Sequence, residues 1–129
     1  MTAARIALSG ARLTETPNAS MITLASPTQG GTKTLSLWRV TMRPGQRGPQ
    51  HTFDVEQAWH LLDGTATIAV DAESIDLTSG DTVVLPAGIP RQVGTDSGAV
   101  FVVTGLASGS ATPISPDGPG EPVSPAWIA

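Results

Sequence analysis

The chain has 129 residues and a formal net charge of −4, with 14 Gly, 11 Pro and no Cys. That length supports one domain around a single core. The missing cysteines exclude disulfides, thiolate metal sites and a cysteine nucleophile, and without a Lys/Arg cluster a nucleic-acid partner is not expected.

The first thirty residues lack a basic start followed by an apolar stretch, and nowhere does an apolar run reach the roughly 18 to 20 residues of a membrane span. No membrane association is expected, and a cytoplasmic location is. The sequon Asn18-Ala19-Ser20 matters only in a secreted protein. Many Val, Thr, Ala and Leu residues between Gly/Pro turns, with no helical run, predict an all-β chain.

Residues 1–19 alternate weakly and contain Pro17, and they read as an N-terminal arm that adds an edge strand or crosses to a partner. "SMITLAS" (20–26) and "TLSLWRVTM" (34–42) are predicted strands, joined as a hairpin by the turn "PTQGGT" (27–32). "RPGQRGPQ" (43–50) is a loop in which Pro44-Gly45 forms a turn. The stretch "VEQAWHLL" ends at Asp63-Gly64, the strongest hairpin signal in the chain, and "TATIAVD" is predicted to run back from it. Further on, "TVVL" lies between the turns Ser79-Gly80-Asp81 and Pro86-Ala87-Gly88, and "GAVFVVTGL" (98–106) is a last buried strand. About eight strands therefore occupy 20–106. From 107 to 129 five prolines and no periodicity predict an irregular Pro/Gly-rich tail. Trp127 and Ile128 at its end read either as an apolar plug for a groove on the barrel or its neighbour, or as a disordered end.

Strands of this number and spacing fit a jelly-roll β-barrel of two antiparallel sheets. Two spaced patterns sharpen that. Gly45, His51, Gln57 and Gly64 fall on the spacing Gly, five residues, His-x-His, three or four residues, Glu, six residues, Gly. Gly80, Pro86 and Gly88 fall on Gly, five residues, Pro-x-Gly, two residues, His. With these two motifs the chain resembles the cupins, over residues 45–91, and the resemblance implies a single-domain cupin barrel.

In that family two His and a Glu of the first motif and a His of the second usually hold a divalent metal. This chain keeps His51 but has Phe53, Gln57 and Arg91 at the other three positions, which reads as a degenerate metal site. A transition-metal site needs three or more imidazole or carboxylate donors. Phe53 donates nothing, and a guanidinium about 4 Å from a divalent ion is repelled by roughly 8 kcal/mol at an effective dielectric near 20. No cofactor is therefore expected. The alternative is a divalent transition metal on a non-standard set, either His51, Gln57 and water or His51 with Glu56 and His60. Strand phase places Glu56 and His60 outside and Gln57, Trp59 and Leu61 inside, so the second set requires a one-residue bulge.

The resemblance extends to metal-free epimerases, and it implies a metal-independent isomerase, epimerase, cyclase or decarboxylase acting on a small anionic or carbonyl-containing metabolite. His51 would be its general acid/base, with Arg91 and Gln57 stabilising the charge that develops. Phe53, Trp59, Trp38 and Arg39 are candidate ligand-binding residues. For His51, Gln57 and Arg91 a purely structural role stays open, including an Arg91 clamp onto Asp54 or Glu56. The other function class is a non-catalytic binding or sensor module using the same pocket. A homodimer is expected by analogy with small cupins.

Overall fold

A computed structural model describes residues 3–129. It contains eleven strands: β1 (Arg12–Glu15), β2 (Ser20–Ala25), β3 (Leu35–Met42), β4 (His51–Phe53), β5 (Gln57–Val70), β6 (Glu73–Thr78), β7 (Thr82–Leu85), β8 (Arg91–Gly94), β9 (Ala99–Leu106), β10 (Ala111–Ser115) and β11 (Gly118–Pro119). One short 3-10 turn, Leu8–Gly10, precedes them. No helix among the described residues is long and apolar enough to cross a membrane.

Period-two burial follows directly from the apolar alternation. In β3 the even positions Trp38, Val40 and Met42 are buried, and in β9 Phe101 and Val103 are. Trp59, Leu61, Ile68, Leu85 and Val93 complete an interior with side chains from both sheets. Burying Leu-, Val- and Phe-sized groups there stabilises the fold by about 1.5–3 kcal/mol per side chain.

All the strand pairs are antiparallel, in the order β1-β2-β3-β9-β5-β8-β4-β10-β11, and β6 and β7 also pair with β5. Strand β5 belongs to both sheets. Its first half, Gln57 to Gly64, lies between β9 and β7, and its second half, Thr65 to Val70, lies between β6 and β8. The hairpin predicted at Asp63-Gly64 does not form. Those residues instead sit at a register shift between Leu61 and Asp63, where the strand passes from one sheet to the other. Gly64 has φ +87°, which is the backbone demand that made the pair look like a turn. The actual hairpin comes seven residues later, where Asp71 takes φ +54° between paired Val70 and Glu73.

The arm does supply an edge strand, β1, paired with β2. The tail departs from its predicted irregularity. β10 pairs with β4, β11 folds back on β10, and Ile128 is buried in the core. Main-chain oxygens hold the last turn in place. Thr23 Oγ1 donates to Trp127 O (2.8 Å), Ser26 Oγ to Ala129 O (2.7 Å) and Arg12 Nη1 to Ala126 O (2.7 Å). These partners lie about a hundred residues away in sequence, so local pattern carries no trace of them.

Candidate ligand site

The interior leaves a cavity of about 250 Å³ whose wall is almost wholly carbon. Trp38 of β3, Phe53 of β4, Trp59 of β5 and Val93 of β8 line it from the barrel, and Ala19 and Trp127 line it from the two terminal segments. Among the described residues, His51 is the one titratable side chain on this wall. It stands at the start of β4, opposite Arg91 on β8 and Pro113 on β10.

The ring of His51 is fixed on two sides. Its Nδ1 lies 2.9 Å from the carbonyl oxygen of Pro49, and its edge meets Phe53 at 5.2 Å between centroids and 77° between planes. A carbonyl oxygen only accepts, so Nδ1 carries the hydrogen, and in the neutral ring Nε2 keeps its lone pair. Burial lowers the His51 pKa below 6.5, the Pro49 hydrogen bond opposes this, and the charge of Arg91 lowers it further. The site therefore presents a neutral imidazole at physiological pH. Because the folded-state pKa is depressed, His51 contributes stability above about pH 6.5 that is lost as the pH falls through the lowered value. Thermal melts from pH 8 down to about pH 5 should show a fall in Tm that is shallower in His51→Gln. Parallel curves for the two proteins would count against a partly desolvated, unprotonated ring.

Gln57 is buried beside the cavity, and its Oε1 accepts from Trp59 Nε1 at 3.0 Å. Room for it comes from Gly105 on β9, where a Cβ would press within 3.1 Å of Gln57 Cγ. Gln57 does not line the cavity but orients an indole that does.

Arg91 is 1% exposed. Its Nε donates to Ile89 O at 3.0 Å and its Nη2 to Pro86 O at 2.7 Å, pinning the Pro-rich turn ahead of β8. Its guanidinium carbon sits 5.7 Å from the centroid of the Phe53 ring. The carboxylate clamp does not form. Asp54 instead accepts from Ser110 N–H at 2.7 Å, and both Asp54 and Glu56 are exposed. Burial also lowers the Arg91 pKa from its ordinary value.

Among the seven candidate catalytic and ligand-binding residues, the cavity brings together His51, Phe53, Trp59 and Trp38. Arg91 and Gln57 stand behind that wall, and Arg39 points the other way. Because Trp38 and Val40 face inward, Arg39 between them faces outward, and this candidate ligand-binding residue does not line the cavity. The alternative metal set that includes Glu56 and His60 fails on facing. The register shift in β5 comes after Leu61, too late to turn Glu56 and His60 inward. Glu56 is exposed, and His60 Nδ1 lies 2.7 Å from Thr82 Oγ1 on the outer face. No cluster of three His, Asp or Glu able to hold a metal occurs among the described residues. The positions that hold a metal in the family do not fit one here, since Phe53 is no donor, the Gln57 oxygen is engaged and Arg91 is cationic.

The terminal segments' share of the wall was only partly legible. Trp127 drew attention as an aromatic after a Pro-rich tether, but nothing marked Ala19, which enters the wall through the pairing of β1 with β2.

The antiparallel strands of residues 3–129 close into a jelly-roll barrel around this cavity, and the comparisons give its family. Residues 38–105, just over half of the chain, match the cupin domain model, and the chain belongs to the cupin family. No curated protein matches it in sequence. Similar solved structures include an RmlC-like cupin from Shewanella frigidimarina (16% identity, TM-score 0.70, covering 81% of this chain and 91% of that one). The polyketide cyclase RemF from Streptomyces resistomycificus is similar at 18% identity and TM-score 0.69, covering 81% of this chain and 80% of that one. A conserved protein of unknown function from Streptococcus pyogenes is similar at 23% identity and TM-score 0.61, over 71% of this chain and 76% of that one. At these identities the likeness establishes the fold.

Proposed function

We propose that this cupin takes a compact, mostly apolar metabolite bearing a carbonyl or hydroxyl group into its barrel, and that His51 moves a proton on it without a metal. One observation carries the reading: among the described residues His51 is the only titratable side chain on a mostly carbon wall, held at Nδ1 by Pro49 so that Nε2 keeps its lone pair. In such a site a neutral imidazole is suited to removing a proton next to a carbonyl and returning it elsewhere, the step shared by isomerases, epimerases and many cyclases and lyases. Trp38, Trp59 and Phe53 supply flat walls that hold the body of the ligand and keep water from the reacting atoms.

The test follows α-proton exchange for deuterium by NMR over a panel of small enolisable aryl and alkyl carbonyl compounds. Wild type should catalyse exchange in at least one, and His51→Ala should lower the rate about 10²- to 10⁴-fold with the dissociation constant changed only a few-fold. Unchanged exchange in His51→Ala would remove His51 from the chemistry. A second reading, a non-catalytic binding module, is favoured by Arg91 and Gln57 both standing outside the cavity lining, engaged with Pro86, Ile89 and Trp59. Tight binding by wild type with no exchange in any compound would select it.

The proposal includes a homodimer. Leu35, Leu37, Val84 and Leu106 are exposed on one outer face of the larger sheet, where Leu35 pairs with Leu106 and the row Leu37, Thr104, Ala58, Val84 crosses four strands. An apolar patch of that kind supports self-association.

A further inference from the structure

The Arg91 guanidinium carries more donors than the fold uses. Two nitrogens are spent on the carbonyls of Ile89 and Pro86, whereas Nη1 is buried with no partner. A buried cation with a donor that no protein acceptor takes is costly, because no acceptor or counter-charge of the fold compensates it. The uncompensated charge lies close to the cavity. Arg91 is the register partner of His51, and its guanidinium rests on Phe53, which is itself a cavity wall. In a low-dielectric enclosure such a charge favours anions over neutral molecules and cations.

The geometry points to a carboxylate subsite at Arg91 Nη1, screened by Phe53, so that the ligand of the barrel is a small apolar monocarboxylate. Its hydrocarbon body lies among Trp38, Trp59 and Trp127. Its carboxylate takes the unused Nη1 donor as the Phe53 ring swings off the guanidinium, exchanging a cation–π contact for a charge-assisted hydrogen bond. This rests on the cavity reading above and adds the charge class of the ligand.

The probes are phenylacetate and its neutral isostere phenylacetamide, titrated into the full chain with calorimetry and the indole resonances of Trp38, Trp59 and Trp127 as readouts. Wild type should bind the acid at least roughly tenfold more tightly than the amide, with a preference constant between about pH 6 and 9 because a guanidinium does not titrate there. In Arg91→Gln the preference should vanish. Should that variant fail to fold, Phe53→Ala gives an independent reading: unscreening the guanidinium should raise the acid-to-amide ratio, whereas a wall that only packs would weaken both probes alike. Equal binding of acid and amide by wild type overturns the subsite while leaving the cavity reading intact. An acid preference that survives Arg91→Gln, or fades as the pH rises through the titration of His51, assigns the anion to another group and overturns it too. Binding of neither probe removes both the cavity reading and the subsite.

Discussion

Replacing Phe53 and Arg91 together by histidine is expected to turn the barrel into a divalent-metal site with a dissociation constant in the micromolar range or below, about −8 kcal/mol of binding free energy. Phe53 stands two residues from His51 on the same strand, and Arg91 is directly opposite on β8, so three imidazoles would converge. The Pro49 carbonyl already holds Nδ1 of His51, which is the orienting contact that metal-bound histidines ordinarily need. The substitution also removes the cation that repels the metal, so Phe53→His alone should gain much less than the pair. Calorimetric titration of Ni²⁺ or Zn²⁺ into protein without a histidine tag measures it. A double variant that binds no better than wild type would mean that β4 does not face as described.

The second large effect is structural. Gly64→Ala should destabilise the fold by about 3 kcal/mol, combining the left-handed backbone penalty of a side-chain-bearing residue with displacement of a neighbouring strand. At φ +87° an added Cβ would collide with the carbonyl oxygen of Gly98, a main-chain atom that can move only if β9 moves. Gly80 is the control, because its φ is +97° but nothing lies within 4 Å of an added Cβ. Gly80→Ala should cost only the backbone penalty, about 1–2 kcal/mol. Urea denaturation of both variants separates the two contributions, and equal losses would show that the crossing of β5 between sheets tolerates a shift of β9.

The barrel was legible because its signals are local and chemically narrow. Gly45, Gly64, Gly80 and Gly88 all have positive φ, and such positions admit few residue types, so their spacing survives as a readable frame. Strand phase was equally legible around Gln57, Trp59 and Leu61, since burial on a pleated strand has period two. The same chemistry misled at Asp63-Gly64. A hairpin and a bulge both call for positive φ, and what selects the bulge is pairing with β9, more than thirty residues on. Arg91 was legible as a residue out of place but not in its partners. Sequence suggested a carboxylate, and the fold supplied two carbonyls from the turn just before it, leaving one nitrogen over. The tail was least legible, because its order comes from Arg12, Thr23 and Ser26 at the far end of the chain.

That closure of one end of the chain onto the other sets an order of events. Strand β4, which carries His51, pairs with β8 at a single position and with β10 over three residues, and Trp127 completes the cavity wall. During synthesis the glycine frame, β3 and β9 can emerge and pair while β4 still lacks its main neighbour. The pocket is thus among the last features to form, and it depends on contacts of very high sequence separation, which close slowly. Until residues 111–128 have been made the nascent barrel has strands, turns and a core, but lacks the part of the cavity wall that Ala111, Pro113, Val123, Pro125 and Trp127 supply.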